Sequence, residues 1–190
     1  MALRTIRELG DEVLEKECRE IKQMTPRLRS LAKDMEDTMY AANGVGLAAP
    51  QVGVLRQLIV IDVGDGPIYL VNPVIVEQDG EQFGSEGCLS YPGKAGNVRR
   101  PSHVIVKALD LSMNPIEVEG EDLLARCLCH EIDHLHGIMY TTRVEGEIYD
   151  AGTLAEEEEE DEEEGAFGED DEQNGWRVMS HPDSRKQEGN

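Results

Sequence analysis

Apolar positions in the first part of the chain follow a helical rhythm. Leu28, Leu31, Ala32, Met35 and Met39 recur at three- and four-residue spacing, which brings them onto one face. The pattern predicts a helix over residues 11–42, stopped at Asn43-Gly44 because Gly tolerates a left-handed cap. Gly44 to Gly53 reads as a loop, and then the rhythm changes. Leu58 to Val63 and Ile68 to Val76 are dense in Val and Ile and read as strands joined by the turn Gly64-Asp65-Gly66-Pro67. Residues 103–111 alternate between two faces, and Met113-Asn114-Pro115 turns the chain into Ile116-Glu117-Val118. Glu121 to Leu135 predicts a second helix, preceded by Gly120 and closed by Gly137, with Glu121 and Asp122 at the positive end of its dipole. Strands followed by one late helix predict an α+β domain rather than alternating βαβ units. No internal repeat is visible.

Charge divides the chain in two. Of 190 residues, 40 are acidic and 18 basic, for a formal net charge of −22. The first 155 residues carry 25 acids and 15 bases, a globular composition. From Glu156 onward there are 15 acids and 3 bases, opening with nine consecutive acids, Glu156 to Glu164. Such a run repels itself and cannot bury surface, so residues 156–190 read as a disordered acidic tail on a domain of residues 1–155. This balance disfavours a general nucleic-acid or anionic-membrane binder, since phosphate contact needs a positive surface. The longest apolar run, Leu58-Ile59-Val60-Ile61, is far short of the ~20 residues of a helical membrane span. The N-terminus has no signal-peptide core. A cytoplasmic protein is expected. In a reducing compartment, a special role for any of Cys18, Cys88, Cys127 or Cys129 points to metal binding or catalysis rather than disulfides.

The second predicted helix contains His130-Glu131-Ile132-Asp133-His134. Residues i and i+4 share a helix face, so the two imidazoles can hold one divalent ion. Glu131 is turned by ~100° from His130 and borders that ion, where it can take a proton from a bound water. A catalytic site of this kind needs a third protein ligand and leaves a fourth position for water. Tyr140 stands where one metalloprotease class carries a third His, and no convincing later helix offers a Glu. Cys88, within Glu86-Gly87-Cys88-Leu89-Ser90, is the remaining candidate, with His103 and Asp133 as weaker options. His136 falls off the two-His face, and His181 lies in the tail.

Three segments together resemble the signature motifs of the peptide deformylase family. They are Gly44-Val45-Gly46-Leu47-Ala48-Ala49-Pro50-Gln51, Glu86-Gly87-Cys88-Leu89-Ser90 and His130-Glu131-Ile132-Asp133-His134, in that family's order and at compatible intervals. The N-terminal stretch Ile6-Arg7 through Gly10-Asp11-Glu12-Val13-Leu14 is also similar, so the resemblance covers residues 1 to about 150. Cys129 stands where the family usually has Gln, and Glu12 where it usually has Pro; neither touches the expected ligands.

The resemblance implies a peptide-deformylase-like α+β fold, with mixed or antiparallel sheets packed around a central metal-binding helix. It implies removal of formyl from N-formylmethionine on nascent chains, met at the ribosome, with no direct nucleic-acid readout and no membrane. Cys88 as thiolate, with His130 and His134, would hold one divalent ion. Fe²⁺ comes first on the family's habit; Zn²⁺, Ni²⁺ and Co²⁺ suit the same ligands. The bound water, its pKa lowered toward ~7, would attack the formyl carbon. Glu131 would accept its proton and return it to the leaving amine. The Gln51 amide and the Leu89 backbone N–H would stabilise the oxyanion, at a typical cost of ~10²–10³ in rate if one donor is lost.

Gly46 would shape the site, with Val45, Leu123 and Cys127 as walls of the methionine cavity. Arg99, or else Arg100, would bind peptide carbonyls, and Glu86 would anchor neighbouring backbone. Two alternatives make different predictions. A small H-E-x-x-H metallopeptidase with a glutamate ligand would survive Cys88→Ala. A non-catalytic metal- or partner-binding module would survive Glu131→Gln.

Overall fold

The computed structural model describes residues 2–151. The acidic segment 156–190, the boundary after residue 155 and His181 lie outside the described residues.

The first helix is shorter than its sequence pattern suggests. α1 spans Pro26–Ala41, and residues 12–15 form only a separate 3₁₀ turn. Pro26 explains the break. Its ring disfavours helical backbone at Thr25, and at the first helical position its missing N–H costs nothing. Thr25 is therefore the cap, its hydroxyl accepting from Leu28 N at 3.3 Å. All five periodic residues lie within this shorter helix. At its other end the left-handed residue is Asn43 (φ 54°), not Gly44. Gly44 N–H then returns to Met39 O at 2.9 Å.

Eight strands follow: β1 Gly46–Ala48, β2 Leu58–Ile61, β3 Ile68–Asp79, β4 Gln82–Cys88, β5 Tyr91–Arg100, β6 His103–Leu109, β7 Pro115–Glu121 and β8 Tyr149–Asp150. Helix α2, Asp122–Leu135, lies between β7 and β8. The strands form a five-stranded sheet, β1-β2-β3-β6-β7, and a three-stranded sheet, β4-β5-β8. Every pairing between these strands is antiparallel, so the sheets are antiparallel rather than mixed. β4 and β5 carried no strand signal. Their stretch is rich in Gly and charge, and only the partner strand satisfies its backbone.

β2 is buried on both faces, which is why it reads as an unbroken apolar run. Ile59 and Ile61 pack with Leu70, Val104 and Val106 against Ala125, Leu128, Ile132 and Leu135 of α2. Leu58 and Val60 point the other way, onto Leu31, Met35 and Met39 of α1. α2 is thus a central helix, with His130, Glu131 and His134 all buried. Gly137 ends it with φ 71°; a Cβ there would stand 2.6 Å from the backbone of Glu15. Among the described residues, no helix is long and apolar enough to cross a membrane.

Candidate metal centre and active site

Three chain segments meet over the middle of α2. His130 and His134 lie one turn apart, ring centroids 5.0 Å from each other and edge to face. Cys88 arrives at the end of β4, where the β4–β5 register shifts between Gly87 and Cys88. Its Sγ is 3.3 Å from His134 Nε2. One donor atom from each of Cys88, His130 and His134 falls within 4.8 Å of the others. Tetrahedral coordination at usual Zn–S and Zn–N lengths would separate such atoms by roughly 3.3–3.6 Å, so the trio fits a single ion with small side-chain adjustment. Two buried polar atoms of the same helix, Glu131 Oε2 and His134 Nδ1, have no hydrogen-bond partner among the described residues. A soft thiolate with two imidazoles suits a divalent transition metal. All four cysteines are free.

Glu86 orients the first imidazole. Its Oε2 accepts from His130 Nδ1 at 2.9 Å, leaving Nε2 as that ring's free donor atom. Its carboxylate also takes two bonds from Arg100, at 2.8 and 3.0 Å, and one from Arg126 at 3.0 Å. Burial opposes its charge, but the bonds from His130 and Arg100 prevail and hold it down at about 2. The expected anchoring of backbone is corrected: Glu86 anchors a ring and two guanidinium groups. Asp133 continues this buried network by bridging Arg100 (2.6 Å) and Arg143 (2.6 Å), so it is turned away from the ion position. His103 is committed to Glu119 at 2.9 Å on a strand outside the site. His136 pairs with Glu17 at the surface.

Glu131 packs against β1. A Cβ on Gly46 would stand 2.4 Å from Glu131 Oε1 and 2.8 Å from Cys127 Sγ, so only glycine lets strand and carboxylate approach this closely. Burial raises Glu131 to about 7; nearby His130 opposes the shift and the repulsion of Glu86 adds to it. Burial also drives His134 well below its ordinary value, which keeps that ring neutral and able to donate a lone pair.

Gln51 sits in the 3₁₀ turn Ala49–Val52 that follows β1, and is fully buried. Its Oε1 accepts from Ala48 N at 2.8 Å. Its Nε2 therefore faces Ser90 Oγ, at 3.1 Å, and Cys88 Sγ, at 3.5 Å. The segment read as a loop is thus a short strand and a tight turn that aim this amide.

An open cavity of about 870 Å³ adjoins these groups. Val45, Gly46, Leu89, Leu123 and Cys127 line it together with Gln51, Cys88, His130 and Glu131. Arg99 is not brought there. It projects from β5 to the surface, pairs with Glu81 (2.5 Å) and Glu145 (3.0 Å), and lies over the Phe83 ring. Arg100, next along the strand, points inward and is consumed by Glu86 and Asp133. Among the described residues the arginines that reach the cavity are Arg4 and Arg126.

Sequence reading missed Arg126, the N-terminal arm at Leu3 to Glu8, Ser90 and Tyr140. The arm walls the cavity, and Tyr140 stacks on His130 at 5.9 Å. Ser90 lay inside a quoted motif and Ile6 of the arm inside the N-terminal stretch similar to the family, which was the available signal; Arg126 and Tyr140 carry none.

A buried helix that presents two imidazoles and a carboxylate to a strand-borne thiol is the design of a metal-dependent hydrolase. The family model described as Polypeptide deformylase matches residues 3–147. The peptide deformylase of Agathobacter rectalis is 60% identical over 150 residues, covering 79% of this chain and 95% of that protein. The crystal structure of peptide deformylase from Thermotoga maritima superposes with a TM-score of 0.75 at 37% identity, covering 77% of this chain and 100% of that one. That of Synechococcus elongatus peptide deformylase in complex with actinonin gives 0.72 at 40% identity, covering 82% and 84%. The chain belongs to the polypeptide deformylase family. It is a hydrolase that removes the N-formyl group from nascent polypeptides.

Proposed function

We propose that Cys88, His130 and His134 hold one divalent ion, and that Glu131, Gln51 and Leu89 do the proton and charge work of deformylation beside it. The observation that carries this reading is the convergence of one thiol and two imidazole donor atoms within 4.8 Å at the wall of the cavity. When bound, the ion supplies Lewis acidity and lowers the pKa of a coordinated water toward ~7.

The residues' parts follow from their positions. Glu131 takes the proton of the attacking water and returns it to the amine that leaves. Gln51 Nε2, already aimed at Cys88, donates to the oxyanion formed from the formyl oxygen, and the Leu89 backbone N–H joins it. Gly46 lets the substrate backbone lie close to Glu131, while Val45, Leu123 and Cys127 take up the methionine side chain. Arg126, rather than Arg99, is the cation on the cavity wall for peptide carbonyls. Fe²⁺ is the proposed ion, with Zn²⁺, Ni²⁺ and Co²⁺ compatible with the same donors. The enzyme is proposed to meet formylated chains at the ribosome, in the cytoplasm.

The test is release of formate from a formyl-Met-Ala-Ser peptide by anaerobically purified protein, with and without chelator. Turnover that is abolished by chelator and by Cys88→Ala, with loss of bound ion in the variant, is expected. Full activity and ion content in Cys88→Ala would overturn the ligand assignment.

A further inference from the structure

Two backbone N–H groups of the N-terminal arm bond to the site itself. Arg7 N–H donates to Gln51 O and Leu9 N–H donates to Ser90 O, each at 2.7 Å. In an extended chain, N–H groups two residues apart point the same way and lie roughly 7 Å from each other. The arm thus spans from the turn that carries Gln51 to the segment Cys88-Leu89-Ser90. Arg7 and Leu9 are also the arm residues that do not line the cavity; Leu3, Arg4, Thr5, Ile6 and Glu8 do.

The same two segments meet from the inside. Gln51 Nε2 donates to Ser90 Oγ at 3.1 Å, and both residues are fully buried. Ser90 N–H donates to Cys88 Sγ at 3.4 Å. The arm holds the carbonyls of Gln51 and Ser90 while their side chains hold each other, which closes a ring of hydrogen bonds through three chain segments. A turn locks the arm just beyond. Asp11 N–H returns to Glu8 O at 3.0 Å, and Gly10 has φ 101°. A left-handed third residue makes this a type II turn.

Two donors share one oxyanion only if both are placed before the charge develops. Gln51 and Ser90 are 39 residues apart in the chain, so their spacing is set by contacts rather than by covalent geometry. We infer that the arm is the spacer of the oxyanion site: through the N–H groups of Arg7 and Leu9 it fixes the separation of the Gln51 amide and the Leu89 N–H. Arg7 and Leu9 are positioning residues, acting through Gln51 and Ser90. This inference rests on the proposed roles of Gln51 and Leu89.

Leu9→Pro deletes one N–H and little else. Proline is favoured at the second position of a type II turn, and Leu9 is exposed, so the ring has room. Glu8 lies outside any helix, as a residue before proline should. The test is steady-state kinetics of the full chain, purified anaerobically, on formyl-Met-Ala-Ser, with ion content and thermal melts on the same samples. For Leu9→Pro, kcat should fall by ~10- to 10²-fold, the cost of misplacing a group by up to about 1 Å, with KM and ion content within about two-fold of the parent. Leu9→Ala keeps the N–H and should return kcat to the parent level. Gly10→Ala is a second route to the same turn. No atom lies within 4 Å of its new methyl, but alanine resists the backbone angle, so kcat should fall there too. If Leu9→Pro does not melt cooperatively, Gly10→Ala decides the outcome.

Gln51→Leu separates the spacer from the reading beneath it. Alone it should cost ~10²–10³-fold in kcat. Leu9→Pro should cost less in that background than in the parent, because a single donor leaves no separation to fix. Parent kcat in Gln51→Leu would overturn the oxyanion assignment. Parent kcat in Leu9→Pro and Gly10→Ala, with Gln51→Leu impaired, would overturn the spacer alone. A raised KM at unchanged kcat would also overturn it and leave the arm as a cavity wall. Loss of ion would place the effect on Cys88 instead, and an equal loss in Leu9→Ala would place it on the side chain; either result rejects the inference.

Discussion

Glu86 Oε2 and His130 Nδ1 lie 2.9 Å apart, and the carboxylate, held ionised, can only accept. The ring must therefore carry its proton on Nδ1 and offer Nε2 toward Cys88 and His134. Glu86→Gln keeps the shape but gives up the charge that fixes this tautomer. Bound ion per chain and formate release should fall by ~10–100-fold, as for other partners of ligating histidines. Arg100, also buried, loses its main counter-charge, so the melting temperature should fall as well. Metal analysis and calorimetry on the same sample check both.

Glu131→Gln separates proton transfer from ion binding. The carboxylate is not among the three donor atoms that converge, so ion content should stay at the parent level. Turnover should drop by ~10²–10⁴-fold, the usual contribution of a positioned general base. An inactive variant that has also lost its ion would instead make Glu131 a ligand.

Gly46→Ala tests the close approach of β1 to the catalytic helix. The new methyl would fall 2.4 Å from Glu131 Oε1, and the buried carboxylate would have to shift toward the cavity. Displacing that carboxylate by about 1 Å should cost ~10²-fold in kcat, with ion content preserved. Steady-state kinetics beside metal analysis distinguish this from a folding defect.

The N-terminal arm is pinned by Asp34 on α1, which accepts from Arg4 at 2.7 and 3.0 Å and from Ala2 N at 3.2 Å. The Arg4 guanidinium, working against burial, holds this carboxyl below its ordinary value. A depressed folded-state pKa means that the stabilisation is present above the unfolded value, ~3.9, and is lost as pH falls through the folded one. Asp34→Asn should therefore melt earlier than the parent at pH 7. The gap should narrow as pH falls below about 4, toward the depressed value at which the folded parent loses its charge. Thermal melts between pH 7 and pH 3 give the comparison. Because the arm walls the cavity, KM for a formylated peptide should rise in the same variant.

The sequence carried some of this architecture openly because the controlling relations are short. His130, Glu131 and His134 are set by helix geometry within one turn and a residue, and the unbroken run of β2 reports a strand covered on both faces. α1 was overextended because periodicity alone cannot see where Pro26 obliges a helix to begin. β4 and β5 were invisible because their stability comes from pairing with each other rather than from side-chain propensity.

By itself, the sequence determined the pair of imidazoles, the carboxylate between them, the separation of an acidic end from a globular body, and the family motifs. Only the tertiary structure decided which of two neighbouring arginines faces inward, that neither serves the cavity, and that Glu86 steers a ring. The reason is distance along the chain. Cys88 and His134 are 46 residues apart, and Glu86 and His130 are 44. Contacts at that range depend on how sheets and helices stack, which no local periodicity encodes.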